Sequence, residues 1–229
     1  MTNKKDPSCF TCTVKERICL SETGKGSPAC PTVTMEETLE SALKRYDDPE
    51  TAQFARAASI QEAECYFDRH TRPFKVIPSK TRVEEIIEFA RRMGYQRLGL
   101  AFCTGVKEEA LLLTDILKHN AFEVVSVICK VGRIAKERIG LTAEEKILKD
   151  QFEVMCNPIG QAEILNQVAT EFNIMTGLCV GHDSLFLKHV NAYTTVFAAK
   201  DRVLGHNPMA ALYLSKSYYR RLGQKGSDK

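Results

Sequence analysis

Between residues 81 and 208 short apolar runs alternate with capped amphipathic segments, and few architectures accept that order. TRVEEIIEFARRMG opens on a capping box, Thr81 and Glu84, and ends on Gly94. RLGLAFCTG then reads as a buried strand, EEALLLTDILKHN as a helix and FEVVSVICKVG as the next strand, which makes a βαβ unit. NPIGQAEILNQVATEFN is a helix with Asn157 as N-cap and Pro158 at its first position, feeding the strand IMTGLCVG. DSLFLKHV, TTVFAAKD and NPMAALYLSKSYYRRL follow as helix, strand and closing helix. The expected fold is α/β, a doubly wound, Rossmann-like and mostly parallel sheet whose working edge lies at the carboxyl ends of its strands.

The segment before it has a different character. TMEETLESALKRY carries a capping box at Thr34 and Glu37, and residues 48–70 have helix-compatible spacing until TRPFKVIPSK interrupts them with two prolines. Residues 1–75 are expected to form a cysteine-rich helical appendage, and residues 76–229 the sheet domain. Residues 7–31 hold Cys9, Cys12, Cys19 and Cys30 with almost nothing apolar to bury. MTNKKDPSCF has no apolar run after its lysines, and no stretch approaches the ~18 residues of a membrane span, so the expected compartment is the cytoplasm. In a reducing compartment clustered thiols argue for metal or redox chemistry over disulfides.

The quartet spacing is C-x2-C-x6-C-x10-C with Pro31 after the last cysteine. Zinc sites more often show two close pairs, whereas Cys-Pro endings recur in iron–sulfur runs. Cys9, Cys12, Cys19 and Cys30 are therefore metal ligands, with an iron–sulfur cluster slightly favoured over zinc.

A second quartet comes from the sheet. Cys103, Cys129 and Cys179 end predicted strands, and Cys156 precedes the cap of a helix starting on the same edge. In a parallel sheet all four approach one rim, where they line or hold a second cofactor; a single metal would need Zn–S distances near ~2.3 Å. The plain alternative for each is a small buried hydrophobe, the reading preferred for Cys65. In CVGHDSLF, Gly181 permits a tight turn, Asp183 or Ser184 can cap the helix, and His182 can ligate metal or transfer protons. GHNPMAAL echoes it through His206, and CNPIGQA places Cys156 where that motif has His206. His182, His206 and Asp183 are the candidate catalytic residues. Lys200, Asp201 and Arg202 follow the last strand and can charge the same rim, although solvated charges are the default reading.

Several classes are excluded. A net charge of +3, with bases and acids interspersed, indicates neither a nucleic-acid groove nor a membrane patch. His182, Asp183 and Ser184 are adjacent, unlike hydrolytic triads, which converge from separate segments. No G-x-G-x-x-G or P-loop spacing occurs, so nucleotide binding rests on fold analogy alone.

C-x2-C near the start together with CNPIGQAEILN, GLCVGHDSLF and AKDRVLGHNP resembles an uncharacterised bacterial and archaeal family of predicted metal-binding proteins with an N-terminal cysteine motif. The resemblance runs from Cys9 to about Leu212. It implies a metal, commonly supposed to be zinc, for Cys9, Cys12, Cys19 and Cys30, and no reaction. The expectation is a cytoplasmic metalloprotein in redox or electron transfer, with one 4Fe–4S cluster, or two if the rim holds another, or zinc. Its partners are a small-molecule substrate or a redox protein, and a homo-oligomer is compatible with the sequence. The alternatives are a structural zinc or metal-transfer module, and a cysteine-nucleophile enzyme using Cys179 or Cys156.

Overall fold

The structure, a computed structural model, describes residues 6–74 and 76–224; the opening MTNKK lies outside them. The chain forms two compact units, Met1–Glu64 and Cys65–Lys229, each described by itself.

In the first unit a 3-10 turn, Cys9–Thr11, is followed by a lone bridge between Arg17 and Lys25, by helices α1 (Pro31–Thr34) and α2 (Glu36–Leu43), by a second 3-10 turn, Lys44–Asp47, and by α3 (Pro49–Glu64). The capping box expected at Thr34 and Glu37 does not form. Pro31 takes the first position of a helical turn, so Thr34 closes that turn, donating from Oγ1 to the Cys30 carbonyl at 3.1 Å, and Met35 is left as the N-cap of α2. α3 ends at Glu64, short of the helix-compatible spacing that runs to His70, and only Ala57 and Gln61 on it are buried. No described residue before Ala57 is buried. A segment without a core has little hydrophobic stabilisation to draw on and needs another tie.

The second unit begins with a two-residue antiparallel pair, β1 (Tyr66–Phe67) and β2 (Ile77–Pro78). Its body is α4 (Arg82–Met93), β3 (Arg97–Phe102), α5 (Lys107–His119), β4 (Glu123–Ile128), α6 (Pro158–Gln167), β5 (Phe172–Thr176), α7 (His182–His189), β6 (Thr194–Ala198) and α8 (Met209–Tyr213). The fold is mixed α/β with a four-stranded parallel sheet in the order β4-β3-β5-β6. α4 starts on the expected box: the Glu84 carboxylate accepts the Thr81 N–H at 2.6 Å, and Gly94 ends it at φ 76°.

Burial explains the strand order. All of β5 and Leu98–Phe102 of β3 are buried, whereas β4 buries only Val127, so the two continuously buried strands lie in the middle. Ala90, Leu117, Leu165 and Phe186 on α4, α5, α6 and α7 are wholly buried with Leu98, Leu100 and Ile174. Each such Leu or Phe contributes roughly 1.5–3 kcal/mol. Gly99 on β3 is required by close approach, because a Cβ there would lie 1.9 Å from Asn173 Oδ1 on β5.

The closing helix is shorter than expected. α8 is confined to Met209–Tyr213, followed by turns and a 3-10 turn at Arg220–Gly223, and Leu212, Tyr213 and Tyr218 remain exposed. An apolar pattern left without a surface to cover does not sustain a long helix. Among the described residues no helix is long and apolar enough to cross a membrane.

Candidate functional site at the sheet edge

From β3 the chain passes through α5 to β4 on one side, then returns past β3 to β5 on the other. The carboxyl ends of β3 and β5 are thus where connections diverge, the place where open parallel sheets leave a crevice. Cys103 follows β3 directly, its N–H bonded to the Thr176 carbonyl at 3.2 Å, and Cys129 follows β4, its N–H bonded to Phe102 at 2.9 Å. Adjacent registers, Phe102 opposite Ile128, therefore deliver both thiols side by side. The chain entering α6 is tied to the same place by the Asn157 N–H, which donates to the Cys129 carbonyl at 2.7 Å, bringing Cys156 in.

The three sulfurs form one hydrogen-bonded chain with Cys129 in the middle. Its bond from Cys129 is the main reason that the Cys103 thiol is lowered from 9.0 to about 4; the Gly105 N–H and Lys200 add to it against desolvation. Cys156 is lowered to about 5, first by Cys129 and then by the charges of Lys130 and His182. Cys129 is pushed up, because its proton serves both neighbours. The arrangement favours the proton on Cys129 and the thiolate form at Cys103 and Cys156.

Cys179 lies beyond β5, which ends at Thr176, and its Sγ accepts from Arg202 Nη2 at 3.0 Å. Gly105 leaves room for Lys200: a Cβ there would be 3.2 Å from Lys200 Nζ. All four rim cysteines, with Lys130, His182, Lys200 and Arg202, line one cavity of about 790 Å³. His182 opens α7 after Gly181 at φ 85°, and its Nδ1 is buried with no hydrogen-bond partner among the described residues. Asp183 and Ser184 lie inside the first turn and do not cap it; Asp183 Oδ1 accepts the Ser184 N–H at 2.7 Å. His206 closes its own loop, accepting the Asp201 N–H on Nδ1 at 3.1 Å, and neither it nor Asp183 lines the cavity. The helix starts also differ: Asn157 accepts the Gly160 N–H at 2.9 Å, whereas Pro208, not Asn207, is the N-cap of α8 and no side chain caps it.

Sequence reasoning passed over the opposite wall. Between β4 and α6 the chain makes an excursion with two 3-10 turns, Lys136–Ile139 and Ala143–Glu145, pinned by a bridge between Ala135 and Val154. It places Ile139, Leu148, Phe152 and the Lys136–Glu153 pair, at 2.6 Å, against the thiols. Lys130 Nζ donates to the Val154 carbonyl at 2.5 Å. The available signal was length, since connections of this size without a strand or α-helix of their own are usually functional.

In the first unit Cys9, Cys12, Cys19 and Cys30 line one cavity of about 370 Å³. Cys9 and Cys19 are exposed, Cys12 and Cys30 half-buried, and the Arg17 guanidinium reaches the Cys12 carbonyl at 3.5 Å. Among the described residues no group of three or more His, Cys, Asp or Glu stands in an arrangement that could hold a metal ion, at either quartet. Cys65 is half-buried at the start of the second unit, its carbonyl accepting from Ser79 N–H at 2.8 Å.

Two comparisons bear on this chain. A family described as "Protein of unknown function (DUF1847)" matches residues 30–197, which include all four rim cysteines, Cys30, Cys65 and His182. Cys9, Cys12, Cys19, Lys200 and Arg202 fall outside that match. A relative from Methanocaldococcus jannaschii, "Uncharacterized protein MJ0455", is 44% identical over 186 residues, 81% of this chain and 88% of the relative.

Proposed function

The chain belongs to this DUF1847 family, and from that premise we propose that it is a metal-binding redox protein whose electron chemistry takes place at the sheet-edge thiols. The observation that carries the reading is the chain of three thiols at one cavity, with Cys129 bonded to both Cys103 and Cys156. A thiolate next to a protonated thiol is the arrangement from which a disulfide forms, two electrons leaving as the sulfurs join. The Rossmann-like sheet supplies the crevice, by analogy with open parallel sheets.

The metal belongs on Cys9, Cys12, Cys19 and Cys30. The donors fit: four thiols line one cavity in a segment with no buried residue, and thiolates suit zinc and iron–sulfur clusters alike. Closing them on a metal requires the sulfurs to draw together from their present arrangement. A cluster would supply one-electron transfer, and zinc a structural tie of the kind this segment lacks. A second reading makes Cys156 a nucleophile, favoured by its lowering to about 5 beside Lys130 and His182.

Anaerobic purification, with iron, sulfide and zinc measured per chain, tests the metal. About four iron and four sulfide with a band near ~400 nm is the expected result, and about eight of each would extend the cluster reading to Cys103, Cys129, Cys156 and Cys179. About one zinc without colour selects the structural tie. A chain without metal overturns this part. Titration in thiol–disulfide buffers tests the rim: a Cys129–Cys156 or Cys103–Cys129 disulfide is expected, and thiols that stay reduced at every poise overturn the redox reading.

A further inference from the structure

Cationic side chains outnumber the anionic groups around the rim cavity. Lys130, Lys136, Lys200, Arg202 and His182 line it against a single carboxylate, Glu153. Glu153 is committed: it pairs with Lys136 at 2.6 Å and accepts the Ile147 and Leu148 N–H groups at 2.9 and 3.1 Å. Among the described residues Lys130, Lys200 and Arg202 have no carboxylate partner. Lys130 donates to the Val154 carbonyl and to Cys156, Lys200 to Cys103 and Arg202 to Cys179, which leaves donors over on each, since an ammonium offers three and a guanidinium five. Clefts in which one sign of charge is in excess focus potential on ligands of the other sign, here anions, even after the Cys103 and Cys156 thiolates are counted beside Glu153. The unpartnered Nδ1 of His182 at the same cavity is a further polar atom that a ligand would satisfy.

We infer that this cavity is a binding site for small anionic disulfides, with the anionic end held by Lys130, Lys200 and Arg202 and the sulfur–sulfur bond presented to Cys156. The inference rests on the thiol-redox reading above and names its substrate class. At about 790 Å³ the cavity is of the size that small-molecule sites occupy. The chemistry closes with the residues present. Cys156 thiolate attacks one sulfur of the disulfide; a Cys156 mixed disulfide forms and one small thiolate leaves. Cys129, bonded to Cys156, then attacks the Cys156 sulfur, its own proton going with the second small thiol. One disulfide is reduced to two small thiols, and Cys129–Cys156 becomes the disulfide that carries the two oxidising equivalents.

Three disulfides of similar size test it: dithiodiglycolate, which is dianionic, bis-hydroxyethyl disulfide, which is neutral, and cystamine, which is dicationic. Each is reacted with the purified full chain at neutral pH and low salt, and modification of Cys156 and Cys129 is followed by peptide mass mapping. Every rate is divided by that of the same disulfide with free mercaptoethanol, which removes leaving-group differences. The expected result is a normalised preference for the dianion over the dication of about tenfold or more, shrinking with added salt. The double variant Lys200→Gln/Arg202→Gln narrows that ratio. Equal normalised rates, with no response to salt or to the variant, overturn the anion site and leave thiol redox standing. Failure of all three disulfides at Cys156 and Cys129 instead sinks the redox reading itself.

Discussion

At Cys129 one sulfur accepts the Thr104 N–H at 3.3 Å and also reaches Cys103 and Cys156. Its effect on Cys156 comes from that hydrogen bond more than from the charges of Lys130 or His182. Replacing it tests the arrangement directly. Cys129→Ser exchanges a thiol for a hydroxyl of different reach, and the alkylation midpoint of Cys156 is expected to rise by about a unit or more toward the ordinary thiol range. The pH profile of iodoacetamide labelling, mapped at Cys156, reads this. The same groups set a sign for stability. Cys103 and Cys156 lie at about 4 and 5 in the folded chain against 9.0 for the free thiol, so across that interval the unfolded chain binds more protons. Their contribution is complete above pH about 9, falls as pH falls, and is gone below about 4. Urea midpoints over this range should rise with pH, with a shallower slope in Cys156→Ser.

Among the elements, α6 and β3 carry most of the positioning. Asn157 caps α6 through Gly160 N–H and also donates from Nδ2 to the Val131 carbonyl at 3.3 Å, joining the helix to the chain that leaves Cys129. Asn157→Ala is expected to cost about 1 kcal/mol or somewhat more, read from the urea midpoint. Gly99→Ala should cost more, about 1–3 kcal/mol, because β3 and β5 cannot separate to admit a methyl group at 1.9 Å from Asn173 Oδ1. The helix starts and strands of this region were legible because caps and apolar runs are local. Thr81, Glu84, Asn157 and Pro158 act within a single turn. The echo in GHNPMAAL failed for the opposite reason: the His206 backbone adopts φ 63° to accept the Asp201 N–H, and that loop leaves Asn207 off the cap. Gly181, likewise, takes the N-cap of α7 two residues before Asp183, the first of the side chains expected to cap it.

Over the whole molecule, the two units divide the thiols into two groups of four, each with its own cavity, with Cys65 in neither. Among the described residues the first unit buries none before Ala57, so its order should depend on what its cysteines hold. Removal of metal with a chelator is expected to increase proteolysis within residues 6–48 while the sheet unit stays protected, a difference read by limited proteolysis and mass mapping. By itself the sequence determined the parallel alternation and the presence of both cysteine groups, because hydrophobic period, capping and residue identity are carried within a few residues of chain. Tertiary structure alone decided the rest. The order β4-β3-β5-β6 puts Cys103 beside Cys129, and the Asn157–Cys129 backbone bond draws Cys156 to them. The 129–157 excursion brings Lys136 and Glu153 across from Lys200 and Arg202. Which thiol keeps its proton, and which cations have no carboxylate partner, are settled by distances between residues far apart in the chain, and electrostatic coupling follows distance in space.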